Sequence, residues 1–514
     1  MITPIKDKKP FIYLIPTLLL GIFFIIKYYT APVGDFGNYY YASHFLKQGN
    51  WGLWIYEPYQ FNLAIYDLGQ RNFFLNYTPV PPLSAVLYLP FTFFSITKAK
   101  LIWNSVMLLL FVWSLLRLYN YSKVDVKLLL LIPLFVFVPL QNNIMEGQSY
   151  FLLFFLLLEG FIQYAKKNVG LMALCWGLSI HLKISPAFLL FFLFFQKDIK
   201  SLSLVIFNIV LLTLISLPLI GFDVWQNYIF KILPRLYNGE INNTYAYNYQ
   251  SFQVMLKTIF VPDLLHNGNA LFDNSLLYSQ LLACFKIAVY GLGIVFSMSA
   301  NSTVQKFSIW LIISLLVSGY GNSFSLILLL IPLFSFSGKW NLTDYRFIII
   351  MGLGALIVNI PIAWFYHLNV FLKFPRFFAL LVFFACLLYY SKIKIRLWFL
   401  SVLVLPFLLI HKVNANIQNY LFAKEEAILV YGFKVKEGSI SFNYFDINGP
   451  QEREIEHDNI DAILKEECRQ EPIYNKDEKV LKSCSINDSL VFYLSDKNRG
   501  VGFYTIRIAN AGNE

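Results

Sequence analysis

The sequence predicts an all-helical, polytopic membrane protein carrying a small β-rich soluble domain at its C-terminal end. Three observations lead there. Of 514 residues only 14% are charged while 57% are hydrophobic, against roughly a quarter charged in an ordinary soluble domain. Apolar runs of membrane length recur through the first 411 residues. From residue 412 the pattern changes abruptly to short alternating stretches. A soluble enzyme, a disordered chain and a fibrous one are thereby excluded.

The net charge of +11 divides unevenly. Residues 1–411 hold 28 basic and 13 acidic residues, a net of +15, while residues 412–514 hold 13 basic and 17 acidic, a net of −4. The basic excess sits in short loops between apolar runs, as cytoplasmic loops require. It reports orientation, and nucleic acid is not an expected partner.

The elements follow in order. Lys6, Lys8 and Lys9 precede an apolar run from Phe11 to Ile26. Lys27-Tyr28-Tyr29-Thr30 offers no small-residue cleavage site, so this run is expected to be an uncleaved first span with a cytoplasmic N-terminus. The polar-aromatic stretch to about Pro79 then lies outside. Further apolar runs lie near residues 82–97, 101–118, 128–140, 148–164, 169–182, 184–195, 201–221, 278–298, 307–319, 322–337, 346–366, 376–390 and 395–411. Basic clusters such as Arg117/Lys123/Lys127, Lys166/Lys167, Lys197/Lys200 and Lys392/Lys394/Arg396 phase these runs, provided that the pair at 82–118 crosses only once in net. The expectation is about 13 transmembrane helices over residues 1–411, in a cell inner membrane, with an extracytoplasmic domain at 412–514. In that domain Ala427–Tyr431, Ser439–Phe445, Ser489–Leu494 and Gly502–Ile508 alternate as strands do, and Cys468 and Cys484 are either a disulfide or a free pair.

Ionisable groups at a membrane are costly and mark functional positions. Asp35 follows the first span within Val33-Gly34-Asp35-Phe36. A carboxylate at the bilayer edge is partly desolvated, which raises its proton affinity and suits a general base; the alternative is a helix-capping aspartate opening a helix from Phe36 to Leu46. Tyr77-Thr78-Pro79-Val80-Pro81-Pro82-Leu83 either forms a rigid return into the membrane or fixes the external loop over a site. Glu146-Gly147-Gln148 is either a polar turn or a place where a ligand approaches backbone, with Gln148 reaching a hydroxyl or phosphate oxygen. His181 and Lys183, at a break closed by Pro186, could hold a phosphate, the alternative for Lys183 being a snorkelling lysine. The Asn- and Tyr-rich loop around Tyr247 and Gln250 suits a sugar or a membrane-interface belt. No nucleotide-binding glycine loop or zinc-protease motif appears, no cofactor is expected, and the acidic residues point to no metal site while leaving room for a divalent ion.

Taken together, Gly34-Asp35-Phe36 with Tyr40-Tyr41-Ala42-Ser43, Tyr77-Thr78-Pro79-Val80-Pro81-Pro82-Leu83, Gly147-Gln148, Gly170-Leu171 with Lys183 and Pro186, and Tyr249-Gln250-Ser251 resemble glycosyltransferase family 87 over roughly residues 10–340. The resemblance implies a GT-C-like membrane glycosyltransferase that uses a polyprenyl-phosphate sugar, with mannose as the hexose, and a lipid or glycan acceptor on the outer face, in contact with membrane lipids. It implies Asp35 as the catalytic base and Lys183 on the donor phosphate; His181 is expected beside Lys183 on that phosphate, and Tyr77, Glu146, Gln148, Tyr247 and Gln250 on substrate. The family's late functional histidine has no match in Ser318–Phe324: either Tyr320 or Asn322 fills that position, or His367 does so from elsewhere, or donor and acceptor differ. The C-terminal tail lies outside the resemblance. A lipid-linked-glycan transporter or export component, and a glycan ligase or polymerase, are the other readings.

Overall fold

A computed structural model describes residues 10–69, 75–122, 124–237, 245, 248–262, 267, 270–299, 301–337, 344–393 and 401–410, together with the backbone of six strands between 429 and 510. Through residue 410 the described chain is helical.

The expected count of about 13 spans is corrected. Among the described residues four helices are long and apolar enough to cross a membrane: Pro10–Lys27, Ile96–Ser122, Ile199–Ile220 and Ser275–Ser297. A fifth exists only if Val126–Phe135 and Phe137–Glu146, bent by 59° at Val136, are taken as one span. The physical reason is that a run of apolar residues need not be one helix. Several other runs each form a helix of only 10–17 residues, among them Ser84–Phe93, Tyr150–Ala165, Val169–Leu182 and Ser185–Phe195, too short for the roughly 20 residues a hydrocarbon core demands. Pro133 opens the four-residue helix Ile132–Phe135, and a 3₁₀ turn from Ser323 to Leu329 opens the short helix Ser323–Ser337. Within 82–118, Ile96–Ser122 is the long helix and Ser84–Phe93 the short one.

The single β-rich domain expected at 412–514 is corrected as well. The described backbone gives two separate antiparallel meanders, Leu429–Lys436 with Ser439–Asp446 and Gly449–Glu456, and Val480–Asn487 with Leu490–Ser495 and Thr505–Asn510. Among the described residues no strand of one meander hydrogen-bonds to a strand of the other. Cys468 and the side chain of Cys484 lie outside the described residues.

Two kinds of surface appear along the helices. On Ile199–Ile220, Phe207, Val210, Leu214, Ile215 and Leu219 are exposed, the unpartnered apolar face that a helix presents to lipid rather than to water. The core, by contrast, is aromatic and close-packed. Trp176 stacks on Phe307 with centroids 6.0 Å apart, and Gly160 gives the indole its space. The long helix Ile96–Ser122 is fixed at both ends. Near its start Lys100 Nζ donates to the carbonyls of Pro32 (2.8 Å) and Met145 (2.6 Å). Near its end Arg117 pairs with Glu159 through two parallel bonds of 2.9 and 2.8 Å.

A Cβ at Gly160 would lie 2.3 Å from the Trp176 ring, whereas one at Gly170 on the facing helix would meet nothing within 4 Å. Gly160→Ala is therefore expected to cost about 1–3 kcal/mol through overpacking, and Gly170→Ala to be neutral or stabilising. Thermal melts of the two variants in the same detergent check this; equal melting temperatures would refute the packing argument.

Candidate active site

The site begins with two glycines that fold two segments into each other. Gly34 has φ +59° and Gly147 φ +63°, left-handed values that disfavour any residue with a Cβ. Space excludes a side chain too. A Cβ on Gly34 would lie 2.3 Å from Glu146 Oε2, and one on Gly147 would lie 2.6 Å from Phe36 Cβ. The Val33–Phe36 turn thus seats on the Glu146–Gln148 turn, and the Asp35 N–H donates to Glu146 Oε2 at 3.3 Å. Phe36 is fully buried beneath, tilted against Tyr88 and Trp103.

Asp35 stands at the N-terminus of helix Phe36–Lys47 without capping it through its side chain. Its carboxylate is bound instead by Asn38 Nδ2 (3.3 Å, to Oδ1) and by Gln148 Nε2, to Oδ2. The other end of the Gln148 amide accepts from Lys183 Nζ at 3.3 Å, and Lys183 also donates to the Tyr39 hydroxyl at 3.1 Å. The ammonium lies 4.6 Å from the centroid of the Tyr150 ring. Lys183 reaches this place because helix Val169–Leu182 stops at it in an extended conformation, before the Ser185–Ala187 turn that Pro186 opens. Carboxylate, amide and ammonium thus form one chain. Burial raises the Asp35 pKa above the usual carboxylate value, against the opposing pull of Lys183, Gln148, Asn38 and Lys100.

This chain opens into a cavity of about 1510 Å³. Asp35, Glu146, Gln148, Lys183, Tyr320 and Asn322 line it. Tyr249 also lines it, packed edge-on to Tyr320 at 5.1 Å, and burial and then the Asp35 charge push its phenol up to about 12. The proline segment is connected to the site: Thr78–Pro81 line the cavity, and the Asn76 N–H donates to Asn38 Oδ1 at 2.8 Å, one bond away from Asp35.

Four other expected residues do not line the cavity. His181 is buried with its ring on the Ile209 carbonyl (3.0 Å) and edge-on to Trp225. Tyr77 is buried with its hydroxyl 2.9 Å from Ser84 Oγ. Gln250 is buried behind the wall, donating to the Lys373 carbonyl (2.9 Å) and accepting from the Arg376 N–H (3.3 Å). His367 is exposed, beyond the short Ile362–Phe365 turn. Tyr247 lies outside the described residues. Conversely, Asn38, Tyr39 and Tyr150 line the cavity without having been singled out, and so does Tyr249, noted only as part of the Tyr249-Gln250-Ser251 stretch. A signal for Tyr39 was present, since it follows Asp35 by four residues, one helical turn. Among the described residues no group of three His, Cys, Asp or Glu side chains could hold a metal ion.

If the glycine interlock positions the carboxylate, Gly147→Ala should destabilise the protein by about 1–3 kcal/mol, the cost of forcing a left-handed residue. It should also loosen the Gln148–Asp35 bond. A detergent melt indistinguishable from wild type would overturn the interlock.

Comparison with curated proteins finds no match. The family model of glycosyltransferase family 87 matches residues 77–319. The match takes in Glu146, Gln148, Lys183, the proline segment and Tyr249, and it stops short of Asp35, Tyr320, Asn322 and His367. Residues 77–319, just under half of the chain, are thus similar to glycosyltransferase family 87, and with the apolar helices this likeness points to a membrane-associated glycosyltransferase acting on a sugar donor and an acceptor.

Proposed function

We propose that the chain transfers a hexose, mannose by family resemblance, from a polyprenyl-phosphate sugar to a hydroxyl of a lipid or glycan acceptor. The reaction takes place on the outer face of a cell inner membrane, with the N-terminus cytoplasmic. The observation that carries this reading is the Asp35–Gln148–Lys183 chain at the wall of a large cavity among apolar helices. A lipid-borne sugar needs such a place, where its chain stays among helices while its polar head meets a few directed polar groups.

The chemistry is a single inverting displacement. The acceptor oxygen attacks the anomeric carbon and its proton passes to the Asp35 carboxylate. The bond from the anomeric carbon to the phosphate oxygen breaks, and its electron pair leaves with the lipid phosphate. Asn38 and Gln148 hold the carboxylate while leaving part of its acceptor capacity for an incoming hydroxyl. Lys183, one hydrogen-bonded link from Asp35, acts first on the carboxylate, favouring its ionised form against burial. Tyr249 and Tyr320 offer aromatic faces to a sugar ring.

Asp35→Asn should reduce transfer from radiolabelled polyprenol-phosphate-mannose to a membrane-lipid acceptor extract by about 10²–10⁴-fold, the usual worth of a general base. Donor binding should persist. Undiminished transfer would remove Asp35 from the reaction, and no turnover with any lipid-phosphate monosaccharide would favour a transporter.

The pH dependence has a defined sign. Asp35 acts as a base only when ionised, and burial raises its pKa. Turnover should therefore rise with pH along an acid limb placed above the ordinary aspartate value of about 3.9. Lys183→Met removes a charge that lowers this pKa, so its limb should move to higher pH. A limb that stayed in place in a folded Lys183→Met protein would show that the ammonium does not act on Asp35.

A further inference from the structure

Two cations that line the cavity, Lys286 and Arg376, stand outside the arrangement around Asp35. Arg376 stands in the first turn of helix Pro375–Tyr390, is 3% exposed, and lines the cavity. Its Nε donates to the Ile357 carbonyl and its Nη2 to the Ile360 carbonyl, both at 3.1 Å. Its Nη1 is buried with no hydrogen-bond partner. Among the described residues no carboxylate pairs with it. A buried guanidinium with neither counter-ion nor full hydrogen bonding is costly, and guanidinium geometry matches phosphate oxygens. Two backbone carbonyls therefore fix the orientation of a charged fork that still has a donor to give.

Its place relative to the base is informative. The cations acting on Asp35 are Lys183 and Lys100, and Arg376 is not among them. The Gln250 side chain, by contrast, meets the backbone of Arg376, next in sequence to the Tyr249 that senses Asp35. A displacement with inversion puts the attacking oxygen and the leaving oxygen on opposite faces of the anomeric carbon. The receptor for the leaving phosphate therefore has to stand away from the base, where Lys183 does not.

We propose that Arg376 is the phosphate receptor of this cavity, binding a lipid-borne phosphate through Nη1 and leaving Lys183 to position and ionise Asp35. This inference rests on the proposed use of a lipid-phosphate donor. The phosphate belongs either to the prenyl donor or to the headgroup of a phospholipid acceptor.

The test is ligand binding to purified full-length protein in detergent, read by tryptophan fluorescence, with farnesyl phosphate, farnesol and phosphatidylglycerol as probes. Arg376→Gln should weaken farnesyl phosphate binding by about tenfold or more, the worth of a charged hydrogen bond, and leave farnesol binding unchanged. Arg376→Lys keeps the charge and one donor for the Ile357 carbonyl, so it guards against a failure to fold; it should weaken binding less than the glutamine variant, yet measurably. Lys183→Met should leave farnesyl phosphate binding within about threefold of wild type, less than a lost charged hydrogen bond. An effect confined to phosphatidylglycerol would keep Arg376 as the receptor and assign its phosphate to the acceptor. Wild-type binding of a lipid phosphate with no loss in folded Arg376→Gln or Arg376→Lys protein would overturn the inference alone. A wild-type protein that binds neither phosphate would overturn the lipid-phosphate reading, and this inference with it.

Discussion

The arrangement depends on a reciprocal steric fit. Gly34 admits Glu146, Gly147 admits Phe36, and the Asp35 amide closes the pair through a hydrogen bond to the Glu146 carboxylate. Neither turn could approach the other with an ordinary side chain at its glycine. The rest follows in sequence: Gln148 arrives at the Asp35 carboxylate because Gly147 turns the chain there, and Lys183 meets the far end of the same amide. The aromatic layer of Tyr39, Tyr88 and Trp103, with centroid spacings of 4.6 and 4.3 Å, holds the floor on which this fit rests.

Burial and charge oppose each other at the carboxylate, and the balance is what makes it useful. A fully buried aspartate without partners would stay protonated, and one on the surface would be a weak base at neutral pH. Here burial raises the proton affinity while Lys183, Gln148 and Asn38 restrain the rise. Using one amide to bridge cation and anion keeps the ammonium from bonding the carboxylate directly. Such a bridge fixes the distance between them as well as their order along the cavity wall.

Much of this was legible in the residues. Asp35 was conspicuous because only 13 acidic residues lie in the first 411, and Gly147-Gln148 because glycine beside an amide marks a turn that something approaches. His181 shows where such reading fails. It stands two residues before Lys183, but the helix ends between them: His181 is still helical and meets the Ile209 carbonyl, whereas Lys183 leaves the helix extended and enters the cavity. The span count failed for a different reason. Hydropathy reports whether a run tolerates lipid and says nothing of whether it remains one helix, and the 59° bend at Val136 divides a run that reads as continuous. Arg376 could be seen only as one basic residue among several, since its value lies in an unpaired donor that no pattern of letters displays.

The two clamps on helix Ile96–Ser122 give that helix a metric role. Lys100 holds the turns that carry Asp35, Arg117 holds Glu159, and about 25 Å of helix lies between them at 1.5 Å per residue. That length is close to the hydrocarbon thickness of a bilayer, about 30 Å. The helix therefore works as a depth gauge, with one polar anchor near each end of a fixed apolar rod. If Asp35 is the base proposed above, the residue count of this helix would fix its height relative to the lipid.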